Sequence, residues 1–311
     1  MATRKPSSSP DPQARPHVTR SVLRYFGGKW QIAPWVISHL PAHRVYVEPF
    51  GGAASVLLRK PRSRIEVYND LDEEIVGLFR LLQDPVQCAR LIRLLRRTPY
   101  ARAEFERAFA PTADPLERAR RAIVRAYMAF HHEALFNLGK TTFADARHRS
   151  GNHCKAHEWA SYPRHLVRVC QRLQGVVIER RDALEVLRAQ DSPDTLFFVD
   201  PPYLPSTRSQ SGYRHELDHG QHVALLERLL TIRGRAVVAG YPSQLYDQML
   251  QGWQRVERPH RAAGSRRPRT EVLWIKPPCQ IVPTPARKRL AVGARRASIT
   301  SSQPLEQGEQ P

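Results

Sequence analysis

The stretch Leu196-Phe197-Phe198-Val199-Asp200-Pro201-Pro202-Tyr203 constrains the chain more than any other. Three large apolar residues and a valine in a row read as a strand buried on both faces, as in the middle of a parallel sheet. Neither Pro201 nor Pro202 can donate to a ladder, so the strand ends there. Asp200 is thereby predicted at the carboxyl end of a central strand, the edge where open α/β sheets hold their ligands. The two prolines stiffen the backbone and fix the direction of the neighbouring carbonyl. A carboxylate, a carbonyl and an aromatic ring within four residues suit a flat, amine-bearing base. A strand followed by an ordinary Pro-rich turn would look the same, so the rest of the chain has to decide.

Upstream, Val45-Tyr46-Val47-Glu48 reads as a short strand that opens into Pro49-Phe50-Gly51-Gly52-Ala53-Ala54-Ser55-Val56, a small-residue turn and the start of a helix. Such a turn allows close backbone approach by a ligand. It is not the full pyrophosphate fingerprint, and it lacks the Gly-Lys-Ser/Thr of a nucleotide P-loop. Glu48 would repel phosphates and suits a ligand with a positive centre. A second strand, Arg64 to Asp70, ends acidic about 20 residues later, the spacing at which a carboxylate grips ribose hydroxyls. Asp70 could instead cap the next helix, a job its neighbour Asp72 could take over. Before these strands, Tyr25-Phe26-Gly27-Gly28-Lys29 offers a stacking face, two glycines and a compact cation. A further strand, Val176 to Glu179, leads to Asp182, again at a strand-to-helix passage, either as a cap or as a ligand contact. The final strands are predicted at Ala236–Gly240 and Arg269–Lys276.

Residues 75–175 change character. Helices are predicted over Ile75–Leu82, Val86–Leu95, Ala101–Phe109, Leu116–Phe130 and Leu166–Leu173. This region holds 18 Arg and Lys against 8 Asp and Glu. The whole chain, at 311 residues, carries a formal net charge of +20. An excess of one sign, mostly arginine, predicts a phosphate-facing surface and a nucleic-acid partner. Phe136, Asn137, Lys140, Arg147 and Arg149, in the polar middle of this region, are the predicted DNA contacts. His148, His153, Cys154 and His157 match no common zinc spacing, and no metal is expected. Residues 204–221 read as a functional loop able to close over a substrate. Residues 1–20 and 279–311 read as a disordered basic arm and a disordered tail. The absence of any long apolar run or apolar leader predicts a cytoplasmic protein that does not enter a membrane.

Taken in order, these motifs resemble the adenine-specific DNA methyltransferases of the Dam-like class, which include phage-borne members. The resemblance runs from about Leu23 to Pro278. Tyr25 to Lys29 matches the family's N-terminal cofactor motif, Glu48 to Val56 its glycine motif, Asp70 its ribose-binding acid, and Asp200 to Tyr203 its catalytic motif. The family usually has glycine where Ala54 stands, which predicts slightly tighter packing there. Many members end the last strand with Asn, where this chain has Lys276.

The resemblance implies an α/β, Rossmann-like class I methyltransferase fold with a mixed sheet. The catalytic domain would comprise residues 21–74 and 176–278, with 75–175 a mainly helical DNA-recognition insert. It implies transfer of a methyl group from S-adenosyl-L-methionine to the N6 amine of adenine in duplex DNA after base flipping. Asp200 and the Pro201 carbonyl would act on the amine, Pro202 would set the geometry and Tyr203 would stack on the base. Tyr25, Lys29, Glu48, Phe50, Gly52, Asp70, Asp182 and Asp200 are the implied cofactor contacts, with Lys29 near the cofactor's carboxylate and Asp182 near its adenine. Double-stranded DNA is the expected partner, with no obligatory protein partner. No nuclease motif is evident, which favours an orphan enzyme over a restriction–modification pair. The alternatives are an RNA or protein-amide methyltransferase, or an inactive DNA-binding module on the same fold.

Overall fold

The computed structural model describes residues 18–25, 27–130, 141–145, 154–208, 213–261 and 268–278. Within them a seven-stranded sheet runs in the order β3-β2-β1-β4-β5-β7-β6. The strands are β1 (Val45–Glu48), β2 (Ile65–Asn69), β3 (Val176–Glu179), β4 (Thr195–Val199), β5 (Arg235–Gly240), β6 (Gln254–Arg261) and β7 (Pro268–Ile275). The first five pair in parallel, and β7 lies antiparallel between β5 and β6. All five residues of β4 are buried, as expected of a central strand. Alternate residues feed two cores. Leu196 and Phe198 join the apolar cluster on one face, while Phe197 and Val199 join that on the other.

The first face is covered by α1 (Ala33–Ser38), α2 (Ser55–Arg59), α3 (Glu73–Gln83), α4 (Pro85–Arg97), α5 (Arg102–Arg107), α6 (Pro115–Met128), α7 (Lys155–Ser161) and α8 (Leu166–Leu173). The second carries α9 (Ala183–Ala189), α10 (His219–Thr231) and α11 (Gln244–Met249). The first apolar cluster continues without a break from the sheet into the helices of residues 75–175, through Leu78 and Leu82 to Leu91, Ile123 and Trp159. Aspartates start five of the helices: Asp72, Asp84, Asp114, Asp182 and Asp218 each accept backbone N–H groups of the turn they open. Each such cap is typically worth about 1 kcal/mol.

Two elements depart from the sequence reading. Strand β6 was not anticipated, because its run Gln-Arg-Val-Glu-Arg-Pro-His-Arg lacks apolar alternation. It is an edge strand paired with β7 alone, the sheet position in which a proline such as Pro259 is tolerated. Helix α7 was hidden in the polar segment before Leu166. The arginine excess of residues 75–175 also proves partly internal. Arg120 is buried against Glu104 and Glu117, Arg125 against Glu74, and Arg172 against Glu66. Arg90, Arg93, Arg96 and Arg97 on α4 remain exposed.

Candidate active site

The chain order of the parallel strands reverses between β1 and β4, and a crevice opens there at their carboxyl ends. One pocket occupies it. Its walls include Tyr25, Lys29, Glu48, Phe50, Gly52, Ser55, Asp70, Asp72, Asp200 and Pro202. Residues far apart in the chain converge there because strands β1, β2 and β4 end side by side.

The glycine turn is pinned by the end of β2. Gly51 N–H donates to the Asn69 carbonyl at 2.7 Å, Gly52 N–H to Asp70 Oδ2 at 2.8 Å, and the Tyr68 hydroxyl to the Gly52 carbonyl at 2.7 Å. A side chain at Gly51 would put its Cβ 2.2 Å from the Tyr68 ring, so the position excludes any larger residue. Ala54 adopts φ +52°, the left-handed region, directly before α2. Alanine at this position therefore carries a backbone cost, of order 1–2 kcal/mol for an L-residue, and its methyl is fully buried in the core. Asp70 Oδ1 also accepts from Asp72 N–H at 2.9 Å. Burial raises the Asp70 carboxyl above its ordinary value, against those two N–H donors. Asp72 caps α3, so the two acids divide their tasks.

Glu48 is fully enclosed and accepts from the Tyr46 hydroxyl at 2.7 Å and Leu57 N–H at 2.8 Å. Burial pushes its carboxyl up to about 8. On the same walls two buried polar atoms, Ser55 Oγ and Asp72 Oδ2, make no hydrogen bond within the protein. Buried polar groups without partners are rare and costly, and here both belong to residues that line the pocket.

At the end of β4, Lys29 Nζ lies 2.9 Å from Asp200 Oδ1 and 3.5 Å from Glu271 Oε1. It also donates to the Gly27 carbonyl at 2.8 Å and sits 4.7 Å from the centre of the Tyr203 ring. The Tyr203 hydroxyl donates to Glu271, and its ring packs edge-on against Tyr241. Burial raises the Asp200 carboxyl to about 6, Lys29 opposing and Glu271 adding to the rise.

Three residues, Pro201, Tyr203 and Asp182, sit differently from the sequence expectation. Lys29 lines the pocket, with its ammonium 2.9 Å from Asp200 and 3.5 Å from Glu271. Tyr203 and Pro201 are buried but do not line the pocket, because the Tyr203 hydroxyl is tied to Glu271. Asp182 is exposed and caps α9 through Leu184 and Glu185 N–H, while its neighbour Ala183 lines the pocket. Phe136, Asn137, Lys140, Arg147 and Arg149 lie outside the described residues, as do Phe26, His148, His153 and most of both termini.

The loop after Tyr203 folds back over the pocket. Tyr213, Arg214, His215 and Leu217 line it, and Arg214 bonds Asp72 at 2.7 Å and Glu74 at 3.1 Å. A Cβ on Gly27 would come 2.1 Å from the Tyr213 hydroxyl, so glycine there lets the loop close. Glu271, Ser55 and Arg214 were not singled out from sequence. Glu271 alone carried a signal, as a charge directly before the apolar run Val272–Ile275.

Among the described residues no helix is long and apolar enough to cross a membrane, and no cluster of His, Cys, Asp and Glu is disposed to hold a metal ion. The model of the D12 class N6 adenine-specific DNA methyltransferase family matches residues 25–248. A DNA adenine methylase of Escherichia coli (strain K12) is 31% identical over 106 residues, 32% of this chain and 37% of that protein. The chain thus matches little more than a third of that relative's length. DNA adenine methylases of Salmonella typhi and Salmonella typhimurium are 24% identical over 291 residues, 86% of this chain and 99% of theirs. The family match takes in the glycine turn, Asp70 and the Asp200 strand end, and the chain belongs to the D12 class of N6 adenine-specific DNA methyltransferases.

Proposed function

We propose that this protein methylates the N6 amine of adenine in duplex DNA, with S-adenosyl-L-methionine as donor. The observation that carries the reading is that Asp200, at the end of the central strand, faces the same pocket as the glycine turn and Asp70. The walls suit that donor: Asp70 and Asp72 are acidic, Glu48 adds a buried carboxyl, Tyr25 and Phe50 are aromatic, and Ser55 Oγ and Asp72 Oδ2 have unused bonding capacity. When bound, the donor supplies an electrophilic methyl group on a sulfonium centre. Tyr25, Glu48, Phe50, Gly52 and Asp70 would hold it and Lys29 would serve the reacting end, while Asp182 caps α9.

The protein's own work falls on the amine. Its lone pair is delocalised into the ring, so it is a poor nucleophile. The Asp200 carboxylate and the Pro201 carbonyl accept its hydrogens, localise the lone pair and stabilise the positive charge that grows on nitrogen. No strong base is needed beforehand, because the amine becomes acidic only as it is methylated. The Lys29 ammonium already marks such a place: it bonds Asp200 and lies over the Tyr203 ring. The incoming amine must displace it from Asp200 Oδ1. Once the Lys29 ammonium has left it, the Tyr203 ring, now behind the pocket wall, would be free to support the flipped base, a contact of typically about 1–3 kcal/mol.

The test is incubation of the purified protein with methyl-labelled S-adenosyl-L-methionine and duplex DNA, RNA or protein in parallel. Label is expected in DNA. Label confined to RNA or protein, or incorporated nowhere, contradicts the reading.

A further inference from the structure

We propose that Glu271 is a positioning residue for methyl transfer, sharing the Lys29 ammonium with Asp200 and receiving it when the substrate amine takes Asp200 Oδ1. The proposal rests on the function proposed above. It comes from an imbalance of charge. Lys29, Asp200 and Glu271 side chains are 6%, 18% and 2% exposed, so two carboxylates share one cation in a nearly dry place. An uncompensated buried charge destabilises a fold, and a merely structural pair would not need the second acid. The surplus negative charge is instead matched to a reaction in which the substrate nitrogen becomes positive.

The geometry supports the exchange. Lys29 Nζ is 2.9 Å from Asp200 and 3.5 Å from Glu271 Oε1. Closing the second gap to the ~2.8 Å of a charge-assisted hydrogen bond is a rotamer-scale adjustment. Without Glu271, releasing Lys29 from Asp200 would leave a buried ammonium with the Gly27 carbonyl as its remaining hydrogen-bond acceptor. Glu271 also accepts the Tyr203 hydroxyl, and so sets the ring against which the ammonium now lies. Strand pairing holds it there: Glu271 stands opposite Arg258 of β6, one residue before the Val272–Gly240 pair with β5.

The readout is the titration of Asp200. The groups that face it are Lys29 from the segment before α1, Glu271 from β7, Tyr203 from its own segment, Glu48 from β1, Tyr213 from the covering loop and Tyr246 from α11. The experiment uses the full chain with 13Cγ-labelled aspartate, the Asp200 signal being the one lost in Asp200→Asn. In the native protein it should titrate near 6. Glu271→Gln removes a like charge and leaves Lys29 to Asp200, so the midpoint should move toward acid by ~1 pH unit. With duplex DNA the same variant should lose about tenfold or more in kcat, while the dissociation constant for labelled S-adenosyl-L-methionine stays within about twofold. Glu271→Asp keeps the charge but withdraws it from Lys29, and should fall between the two in midpoint and rate. It carries the test alone if the glutamine variant does not fold. An Asp200 midpoint unmoved in a folded Glu271 variant overturns the inference. Failure of the native protein to methylate DNA would overturn the proposed function instead, and the Asp200 midpoint would still decide the role of Glu271.

Discussion

Two buried ion clusters in this molecule use the same side-chain types to opposite ends. At the amino-terminal edge of the sheet, Glu66 of β2 accepts from Lys60 Nζ at 2.8 Å, from Arg172 at 2.6 and 2.9 Å, and from Ser63 N–H at 3.1 Å. Lys60 spends its other protons on Ser63 and the Pro61 carbonyl. At the carboxyl edge, Lys29 is divided between Asp200 and Glu271 beside a pocket. In the first cluster cations outnumber carboxylates. Burial disfavours the ionised Glu66, but Arg172 and Lys60 outweigh it and hold the carboxyl below its ordinary value. In the second cluster carboxylates outnumber the cation, and burial with Glu271 pushes Asp200 up to about 6. A saturated cluster ties α2, β2 and α8 together; an unsaturated one keeps capacity for a ligand.

The sharpest way to break the comparison is to remove one acid from each cluster. Asp200→Ala should cost about 10³-fold or more in transfer, since it deletes an acceptor aimed at the growing charge. It should change stability little, by less than about 1 kcal/mol, because Lys29 is left in a one-to-one pair with Glu271. Glu66→Gln should do the reverse. It strands two buried cations and should cost about 3–5 kcal/mol of stability, with turnover of the folded protein unchanged. Thermal melts beside methylation rates on both variants check this. Equal losses of stability, or loss of turnover in Glu66→Gln below its melting temperature, would erase the distinction.

A smaller effect follows from pH. In the proposed reaction Asp200 accepts the amine's hydrogens as a carboxylate, and its carboxyl is raised to about 6. Transfer should therefore be full above that value and fall by about tenfold for each pH unit below it. A rate profile between pH 5 and pH 8 measures the limb. A flat profile would mean that the amine does not depend on the Asp200 carboxylate.

The smallest effect belongs to the turn between the clusters. Ala54 sits at φ +52°. Ala54→Gly should relieve that strain and stabilise the protein by about 1 kcal/mol, less the extra chain entropy glycine brings. The melting temperature checks it, and a fall would show that the Ala54 methyl matters more than its backbone.

Much of this was readable in the chain, for identifiable reasons. Strand β4 announced itself by an unbroken apolar run closed by two prolines, and the glycine turn by small residues after β1. These are local patterns, and the sheet order then brings Glu48, Asp70 and Asp200 to one edge. What escaped was non-local or disguised. The partnership of Lys29 with Glu271 depends on β7 turning antiparallel beside β5, which nothing near either residue encodes. Strand β6 is polar because it is an edge. Asp182 has the same strand-end position as Asp70, but its carboxylate is used on the helix behind it. Lys276 donates to the Leu229, Leu230 and Ile232 carbonyls at the end of α10, a structural use that no local pattern announces.

The central claim is that Asp200, at the end of β4, acts on the amine of adenine. The most direct measurement digests duplex DNA to nucleosides after incubation with the protein and S-adenosyl-L-methionine, and identifies the methylated product by mass. The native protein should give N6-methyldeoxyadenosine, and Asp200→Ala essentially none. A methyl group on another nucleoside, or N6-methyldeoxyadenosine at an undiminished level from Asp200→Ala, would contradict it.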